Sequence, residues 1–280
     1  MPKLAKRALI ALAIATTLPA AACAEGVEWS ASPASKPGMV QLRIERNAPN
    51  SRNSNSDDVP AASLAGLDLG RDGDQRFVLR REAGSLDCTG VVRSRRGFGD
   101  CRFTADPRFG EALVRYGMTR PSESDSFTLA MVDAHLGTAQ ALGRFGTHPS
   151  LGDYIALSVH GASPAWLEEL AGAGQRGIKP GDLIAYRVHG VTGGWLHGLI
   201  AADPALANTD SGNIIAMKIH GVQPDWVRGL SDAGYRNLEA SDLIAMRIHG
   251  VSPEFARAAM TMGGRPSASE LISRRITGRR

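Results

Sequence analysis

The hydrophobic pattern of the C-terminal half repeats with a period of about 30 residues. Four copies of one phrase begin at Asp153, Asp182, Asn213 and Asp242, and the last copy reads D-L-I-A-M-R-I-H-G-V-S-P-E-F. The starts are 29, 31 and 29 residues apart. A fixed period in this range is typical of repeat arrays. The pattern therefore predicts stacked copies of one supersecondary unit.

Each copy predicts a pair of short helices. Asp or Asn is interpreted as the opening residue of the first helix, which ends about eight residues later at a pair such as His249-Gly250. Glycine suits this place because the residue after a helix often adopts a left-handed conformation. Ser252 and Pro253 then provide an N-cap and a first helical residue for the second helix. Two such helices cannot bury a core alone, so the units must stack.

Weaker copies extend the array towards the N-terminus. A phrase at Asp125 begins 28 residues before Asp153, and residues 106–109 match the start of a second helix. The sequence predicts one half unit and five fuller units, which make an α-helical repeat domain over 106–264. An Arg-rich tail over 265–280 follows, with one further helix predicted at 269–276.

The first 24 residues have the features of a secretory signal peptide. A short apolar run over 9–18 is followed by small residues around Ala22, where cleavage is expected. Three positive charges precede the run: Lys3, Lys6 and Arg7. Cys23 allows two interpretations, lipidation as the N-terminus of a bacterial lipoprotein or ordinary cleavage beside it. The expected location is periplasmic, either free or anchored to the membrane by a lipid on Cys23.

Residues 25–105 predict a small β domain. Residues 39–45 alternate like a strand, whereas the Asn/Ser-rich stretch over 47–60 is interpreted as a flexible loop. Three further strand-like runs form an antiparallel meander, at 77–81, 85–92 and 98–104. The fold class is therefore α+β, with a β-meander domain followed by an array of αα-hairpin repeats.

Two cysteines fall within this meander. Cys88 and Cys101 face each other if the hairpin turns at Ser94-Arg95. Directly opposed residues on antiparallel strands lie close enough for a disulfide, and an exported protein meets an oxidising compartment. The sequence therefore predicts a Cys88–Cys101 bridge; the alternative is a pair of free buried cysteines.

Two side-chain rows recur in the repeats. The histidines are His160, His189, His220 and His249, with His135 roughly in line. The aromatics are Trp166, Trp195, Trp226 and Phe255. Stacked equivalents lie on the order of 10 Å apart, too far for one zinc ion with ligands at roughly 2 Å. The histidines are therefore interpreted as structural residues whose imidazoles bond the last helix carbonyls.

The aromatic row is interpreted as core between repeats, with an aromatic strip for a peptide or glycan as the alternative. Trp226 and Leu230 share one helix face. They are expected to pack against the first helix of the next unit, on Leu243, Ile244 and Ile248.

Composition and charge narrow the function classes. The formal net charge of +4 falls to +1 without the three cations of the signal peptide, so the sequence pI of 9.2 does not indicate nucleic-acid binding. The chain contains none of the usual hydrolase, metalloprotease or nucleotide-binding motifs. We therefore predict a protein that is not an enzyme, with no catalytic residues, no metal and no cofactor.

The phrases D-L-I-A-M-R-I-H-G-V-S-P-E-F and F-V-L-R-R-E-A-G-S-L-D-C-T-G resemble the extracytoplasmic C-terminal region of BlaR-type bacterial membrane zinc metallopeptidases, over roughly residues 38–262. The membrane helices and the zinc motif of those peptidases are absent from this sequence. The resemblance therefore implies an envelope module for sensing or docking, and it does not imply proteolysis.

Three functional hypotheses follow. The first is a non-enzymatic cell-envelope module that presents a helical-repeat surface to a protein partner. The second is an envelope hydrolase or metal-binding protein that uses the histidine row. The third is a sensor of a small ligand such as a cell-wall fragment or a β-lactam.

Overall fold

The computed structural model describes residues 26–48, 51–261 and 264–278. The predicted signal peptide and Cys23 lie outside these residues. The strands are β1 (Gly26–Pro33), β2 (Met39–Ala48), β3 (Ser51–Pro60), β4 (Leu64–Ala65), β5 (Gly73–Arg81), β6 (Gly84–Arg93) and β7 (Arg96–Ala105). The helices are α1 (Pro107–Arg115), α2 (Glu123–Met131), α3 (Leu136–Phe145), α4 (Leu151–Val159), α5 (Pro164–Gly172), α6 (Pro180–His189), α7 (Gly193–Ala202), α8 (Ser211–Ile219), α9 (Pro224–Asp232), α10 (Ala240–Ile248), α11 (Pro253–Thr261) and α12 (Ala268–Thr277).

The predicted α+β class is confirmed, because an antiparallel sheet precedes a helical array. The sheet has the strand order β3-β2-β1-β7-β6-β5-β4. The chain divides into two compact units. Of the residues that the structure describes, one unit contains 26–48, 51–61, 67–75 and 88–101, and the other contains 62–66, 76–87, 102–261 and 264–278. Among the described residues, no helix is both long enough and apolar enough to cross a membrane.

The first unit is organised around β1, a strand that the sequence interpretation missed. Val27, Trp29 and Ala31 alternate towards the core and are all buried. The indole Nε1 of Trp29 donates a hydrogen bond to the Thr89 carbonyl at 2.9 Å. Gly97 lies against the ring, where an added Cβ would come within 2.6 Å of Trp29 Cζ3. The ring therefore fixes this part of the sheet by both apolar contact and a hydrogen bond.

The predicted disulfide is confirmed. Cys88 on β6 is bonded to Cys101 on β7, with their Cα atoms 4.0 Å apart. The hairpin turns at Ser94 and Arg95, as expected, and both residues have positive φ values of 50° and 63°. Two central residues with positive φ are the geometry of a type I′ turn, which suits the twist of a two-residue hairpin.

The flexible loop predicted over 47–60 is wrong for most of its length. Residues Ser51–Pro60 form β3, which pairs with β2 from Ala48↔Ser51 to Met39↔Pro60. Of the side chains described in this strand, only Val59 is buried. An edge strand of an antiparallel sheet accepts a polar sequence because its backbone pairing and not its side chains holds it in place. Polar composition alone therefore gave the wrong prediction.

The helices of the second unit form two stacked series. In what we call the first layer, α2, α4, α6, α8, α10 and α12 each contact the next member. In the second layer, α1, α3, α5, α7, α9 and α11 do the same. The two layers share one hydrophobic core. The array does not end at Gly264 as predicted, because α12 packs on α10 as a sixth first-layer helix.

The first helix of each unit begins earlier than predicted. Asp153 is the third residue of α4, not its opening residue, and Ser150 is the N-cap. The Asp153 N–H donates to Ser150 Oγ at 3.2 Å, and the Ser150 N–H donates to Asp153 Oδ2 at 3.1 Å. This capping box satisfies two of the unpaired N–H groups at the helix start. An acidic residue three positions into a helix therefore marks its first turn and not its boundary.

Candidate interaction surface

The aromatic row joins each unit to the next one. Trp166, Trp195 and Trp226 are buried, and each occupies the third position of a second-layer helix. Their indole N–H groups donate to the carbonyls of Val191, Val222 and Val251, at 3.0, 3.2 and 3.1 Å. Each acceptor lies directly after the glycine that ends the next first-layer helix. This repeated bond is evidence for the core role that the sequence favoured over a ligand platform.

A row of cations covers these rings. The pairs are Arg187 on Trp166 at 5.1 Å, Lys218 on Trp195 at 4.7 Å, Arg247 on Trp226 at 5.5 Å and Arg275 on Phe255 at 5.6 Å, each measured to the ring centroid. We call these four residues the cation row. Contacts of this kind contribute about 0.5–2 kcal/mol, depending on their burial. Burial lowers the pKa of Lys218.

The cation row was missed by the sequence interpretation, although the sequence contains a signal for it. Each cation lies five residues after the first-turn Asp, Asn or Glu of its helix. In α2 that position is Ala130, although α1 has Phe109 at its third position. In α4 it is Ser158, and the third residue of α3 is Thr138. The cation and the aromatic ring occur together only from α5 and α6 onward. Comparison of the repeats as pairs would have revealed the contact.

The histidine row lies at the exposed ends of the first-layer helices. His160, His220 and His249 are C-cap residues, and His189 is the last residue of α6. Within the described part of the chain these four imidazoles make no hydrogen bond, so the predicted side-chain capping is not observed. The carbonyl of His160 instead accepts a bond from Arg187 Nε at 2.9 Å.

The glycine after each histidine has the predicted left-handed conformation. The φ values of Gly161, Gly190, Gly221 and Gly250 are 71°, 70°, 71° and 68°. At Gly161 there is a second requirement, because an added Cβ would lie 3.1 Å from the Nη2 of Arg187. The His-Gly pair thus forms a turn that lies beside the cation of the next unit, as His160 and Gly161 lie beside Arg187.

His135 does not belong to this row. It is the N-cap of α3, where it makes no side-chain capping bond. Its Nδ1 lies 2.9 Å from Glu82 Oε1, and the other oxygen of Glu82 accepts a bond from the Leu136 N–H at 2.8 Å. Burial raises the pKa of Glu82, but these two partners together bring it below its ordinary value. Glu82 therefore supplies the N-terminal cap of α3 that His135 does not.

The most unusual surface feature is a row of solvent-exposed aliphatic side chains. It consists of Val159, Val188, Ile219, Ile248 and Ile276, which we call the aliphatic row. Each occupies the same position in one of five successive first-layer helices, and each is between 53% and 63% exposed. Single exposed aliphatics are common on proteins, but contiguous apolar patches mark interaction sites.

The prediction for Ile248 is therefore wrong. Leu243 is buried and Ile244 packs partly against the core, as expected, but Ile248 is 56% exposed and is not covered by Trp226. Arg247, the residue before it, lies over the Trp226 ring instead. The sequence pattern gave no warning, because apolar residues occur on both sides of this helix and read together as core.

On the side of these helices that carries the aliphatic row, small residues occupy two earlier positions, beside isoleucines such as Ile155 that pack partly against the core. In the first turn they are Gly152, Gly181, Gly212, Ser241 and Ser269, and one turn later they are Ala156, Ala185, Ala216, Ala245 and Ser273. These positions are four and three residues apart, so they form one stripe with the aliphatic row. We call this stripe and the aliphatic row together the outer face.

Other candidate sites have less structure. A shallow depression on the sheet of the first unit is lined by Arg43, Arg96 and the exposed ring of Phe98. Its charged residues are at the surface, and no buried polar side chain faces it. The residues that the structure describes contain no group of three or more His, Cys, Asp or Glu side chains placed to hold a metal ion.

Comparison of this chain with protein-family models, curated proteins and solved structures finds no match.

Proposed function

We propose that this protein is a non-enzymatic interaction module of the cell envelope, and that the outer face of its helical array docks a protein partner. The observation that carries the proposal is the aliphatic row: five β-branched side chains, equivalent in five units and all more than half exposed. A contiguous apolar surface of this kind is costly in water unless it is covered for part of the protein's life.

The needs of the fold do not account for the row. The core positions of the same helices are filled by other residues, such as Leu243 and Met246 in α10, which are 1% and 0% exposed. Position by position, the fold would tolerate polar residues where Ile248 and its equivalents lie. A repeat array offers an extended surface for one partner contact per unit, which fits a protein ligand better than a small molecule.

Placement in the envelope is supported by the Cys88–Cys101 disulfide, because such bonds persist in oxidising compartments. The charged N-terminal run and the resemblance to the extracytoplasmic region of BlaR-type peptidases are in keeping with it. The proposal includes no cofactor and no nucleic acid. No observation favours the hydrolase or the small-ligand alternatives.

The test is site-specific photo-crosslinking in cells, with the reactive side chain at position 219 on the outer face or at position 114 on α1. Val114 is also an exposed aliphatic, at 43%, but it lies outside the row. We expect a discrete protein adduct from position 219 and none from position 114.

Two variants complete the test. Ile219→Asp places a charge within the row and should abolish the adduct formed from a probe at position 188, without lowering the melting temperature. Val114→Asp should leave that adduct unchanged. Equal adducts from both probe positions, or an adduct that Ile219→Asp does not weaken, would contradict the proposal.

A further inference from the structure

The outer face has two unlike halves. Its half near the N-terminal ends of the first-layer helices has glycine or serine in the first turn and alanine or serine one turn later, beside partly buried isoleucines such as Ile184, whereas the half near the C-terminal ends contains the aliphatic row. The surface therefore has a low strip beside a raised strip, each crossing α4, α6, α8, α10 and α12. A partner that fits closely must have a raised strip opposite the low one and a low strip opposite the raised one.

Two of the three glycines of the low strip have room for a side chain, whereas an added Cβ at Gly212 would lie 3.2 Å from the Asp210 Oδ1. An added Cβ at Gly181 would meet nothing within 4 Å, and at Gly152 it would meet only the cap hydroxyl of Ser150, at 3.8 Å. Neither residue has a positive φ. Glycine also disfavours a helix relative to alanine. A surface that stays low against this preference indicates that another molecule approaches it closely.

The edges of the outer face carry opposite charges. Acidic residues lie in or before the first turn of the first-layer helices: Asp153, Asp182, Asp210, Glu239, Asp242 and Glu270. Lys179 is the one cation among them. The last turns of the same helices carry the cation row, whose charged groups lie over aromatic rings of the second layer. An anionic membrane would meet the acidic edge unfavourably, so this polarity argues for a partner with the reverse order of charges.

A second copy of this chain presents the reverse order of charges when it is related by a two-fold axis. This axis runs along the direction in which the helices stack. That rotation opposes the first-layer helices antiparallel. It sets each raised strip on the other copy's low strip, and each acidic edge on the other copy's basic edge. Rotation about an axis parallel to the helices would instead oppose like edges. Isologous contacts of this kind are the commonest route to dimers.

The size of the face fits a dimer of modest stability. Nine-residue helices are about 14 Å long. Five of them spaced 8–10 Å apart cover roughly 600 Å². Two copies would then bury about 1,200 Å², the lower end of stable interfaces.

From shape, charge polarity and area together, we infer that the occupant of the outer face is a second copy of this chain, paired through antiparallel first-layer helices. The inference rests on the proposed function, since it names the partner of the same surface.

Sedimentation of the purified protein tests the pairing. Between about 1 and 100 µM we expect the dimer fraction to rise with concentration, as for interfaces of micromolar affinity. The variant Val188→Glu/Ile219→Glu should raise the dimer Kd at least about 100-fold, because it would bury charges without partners. Its melting curve at low concentration should match that of the wild type, because both side chains are exposed.

A charge exchange tests the orientation. One variant carries Arg187→Glu and Arg247→Glu, and the other carries Asp182→Lys and Asp242→Lys, so that the exchanged charges lie on the same two helices, α6 and α10. Each alone opposes like charges and should be monomeric, whereas an equimolar mixture should form a one-to-one heterodimer. Failure of the mixture to pair, with both variants folded and the wild type dimeric, would overturn the antiparallel arrangement.

A wild type that stays monomeric at about 100 µM would overturn the inference itself. If the probe at position 219 then still captures a different protein in cells, the proposed function stands and only the identity of the partner is wrong. If the probe captures nothing, both fail.

Discussion

The sheet unit and the helical array differ in how often each stabilising contact occurs. In the sheet unit the Cys88–Cys101 disulfide and the bond from Trp29 to the Thr89 carbonyl each occur once. Among the described residues of the array, the indole-to-carbonyl bond recurs in three units, and a cation from the end of a first-layer helix lies over the ring of the preceding second-layer helix in four. Loss of one contact should therefore affect the whole sheet unit, but only one junction of the array.

The repetition also separates structural from functional residues. A residue that the fold requires has the same contact in each unit, as Trp166 and Trp195 do. A residue that recurs although more than half of its surface is exposed, such as Ile219, indicates a role other than packing. The sheet unit offers no such internal comparison, and its exposed Phe98 therefore says less about function than Ile219 does.

The largest effect is expected from breaking one junction of the array. Trp226→Ala removes a buried ring, its 3.1 Å bond to the Val251 carbonyl and its contact with Arg247. We expect a loss of about 3–5 kcal/mol in the free energy of unfolding, measured by urea denaturation. The transition should also broaden, because units beyond the break uncouple.

The matched control is Trp226→Phe, which keeps a ring beneath Arg247 as Phe255 does beneath Arg275. It loses the indole N–H and some volume, and should therefore cost clearly less than Trp226→Ala. Near-native unfolding of Trp226→Ala would show that the ring does not hold the junction, and would revive the ligand-platform interpretation.

The next effect concerns the sheet unit. The double variant Cys88→Ala/Cys101→Ala removes a cross-link between residues 13 apart in sequence. Disulfides of this loop length contribute about 2–4 kcal/mol. Hydrogen exchange followed by mass spectrometry should show faster exchange throughout β1, β2, β6 and β7. Peptides from α6 to α10 should keep their protection against hydrogen exchange. An equal loss of protection there would contradict the proposed difference between the sheet unit and the array.

A smaller effect is expected in the second layer, where glycines of one helix face proline rings of the next. Gly229 in α9 faces Pro253 of α11, and an added Cβ would lie 2.8 Å from the Pro253 Cγ. Gly198 meets Pro224 in the same way, also at 2.8 Å. Gly229→Ala should therefore destabilise the protein by about 1–3 kcal/mol, since the ring is rigid.

Gly143 in α3 is the control, because an added Cβ there meets nothing within 4 Å. Gly143→Ala should stabilise the protein by about 0.5 kcal/mol through helix propensity. The two glycine variants thus differ in sign. Thermal melting of both variants measures the sign of each effect. A stabilising Gly229→Ala would mean that α9 and α11 can move apart without cost.

Structural features that depend on only a few neighbouring residues were predicted correctly from the sequence. The repeat period, the left-handed glycines and the Cys88–Cys101 pair follow from spacing and backbone preference alone. The errors arose where a residue's role depends on a distant partner. The polar sequence of β3 became a strand because β2 pairs with it, and no local signal carries that pairing.

The outer face was missed for a related reason. In α10, Leu243 and Met246 are buried while Ile248 is exposed, although all three are apolar. A helix that is apolar on two sides does not reveal which side is covered. Only the position of Arg247, held over the Trp226 ring, identifies the side that faces the preceding unit.

The smallest effect concerns Glu82, which lies between β5 and β6 and makes a contact with α3 that does not recur in the repeats. Its carboxylate accepts the Leu136 N–H and faces His135 Nδ1, and its folded pKa lies below the ordinary value of 4.5. A carboxyl with a lowered folded pKa stabilises the protein above its unfolded pKa, and this contribution is lost as the pH falls through the folded pKa. Glu82→Gln should therefore cost less than about 1 kcal/mol at pH 7, since the side chain is 43% exposed and well solvated.

Below both pKa values the wild-type carboxyl is protonated in the folded and unfolded states, and the difference between the two proteins should vanish. Urea denaturation in a series of buffers from pH 7 downward follows this convergence. Glu270→Gln is the matched control, because Glu270 also has a lowered pKa and caps a helix, α12, through the Ser267 N–H at 2.7 Å. Its pH dependence should have the same sign, but its cost should fall on α12 at the end of the array. A Glu82→Gln penalty that does not shrink as the pH falls would show that packing, and not the charge, holds α3 in place.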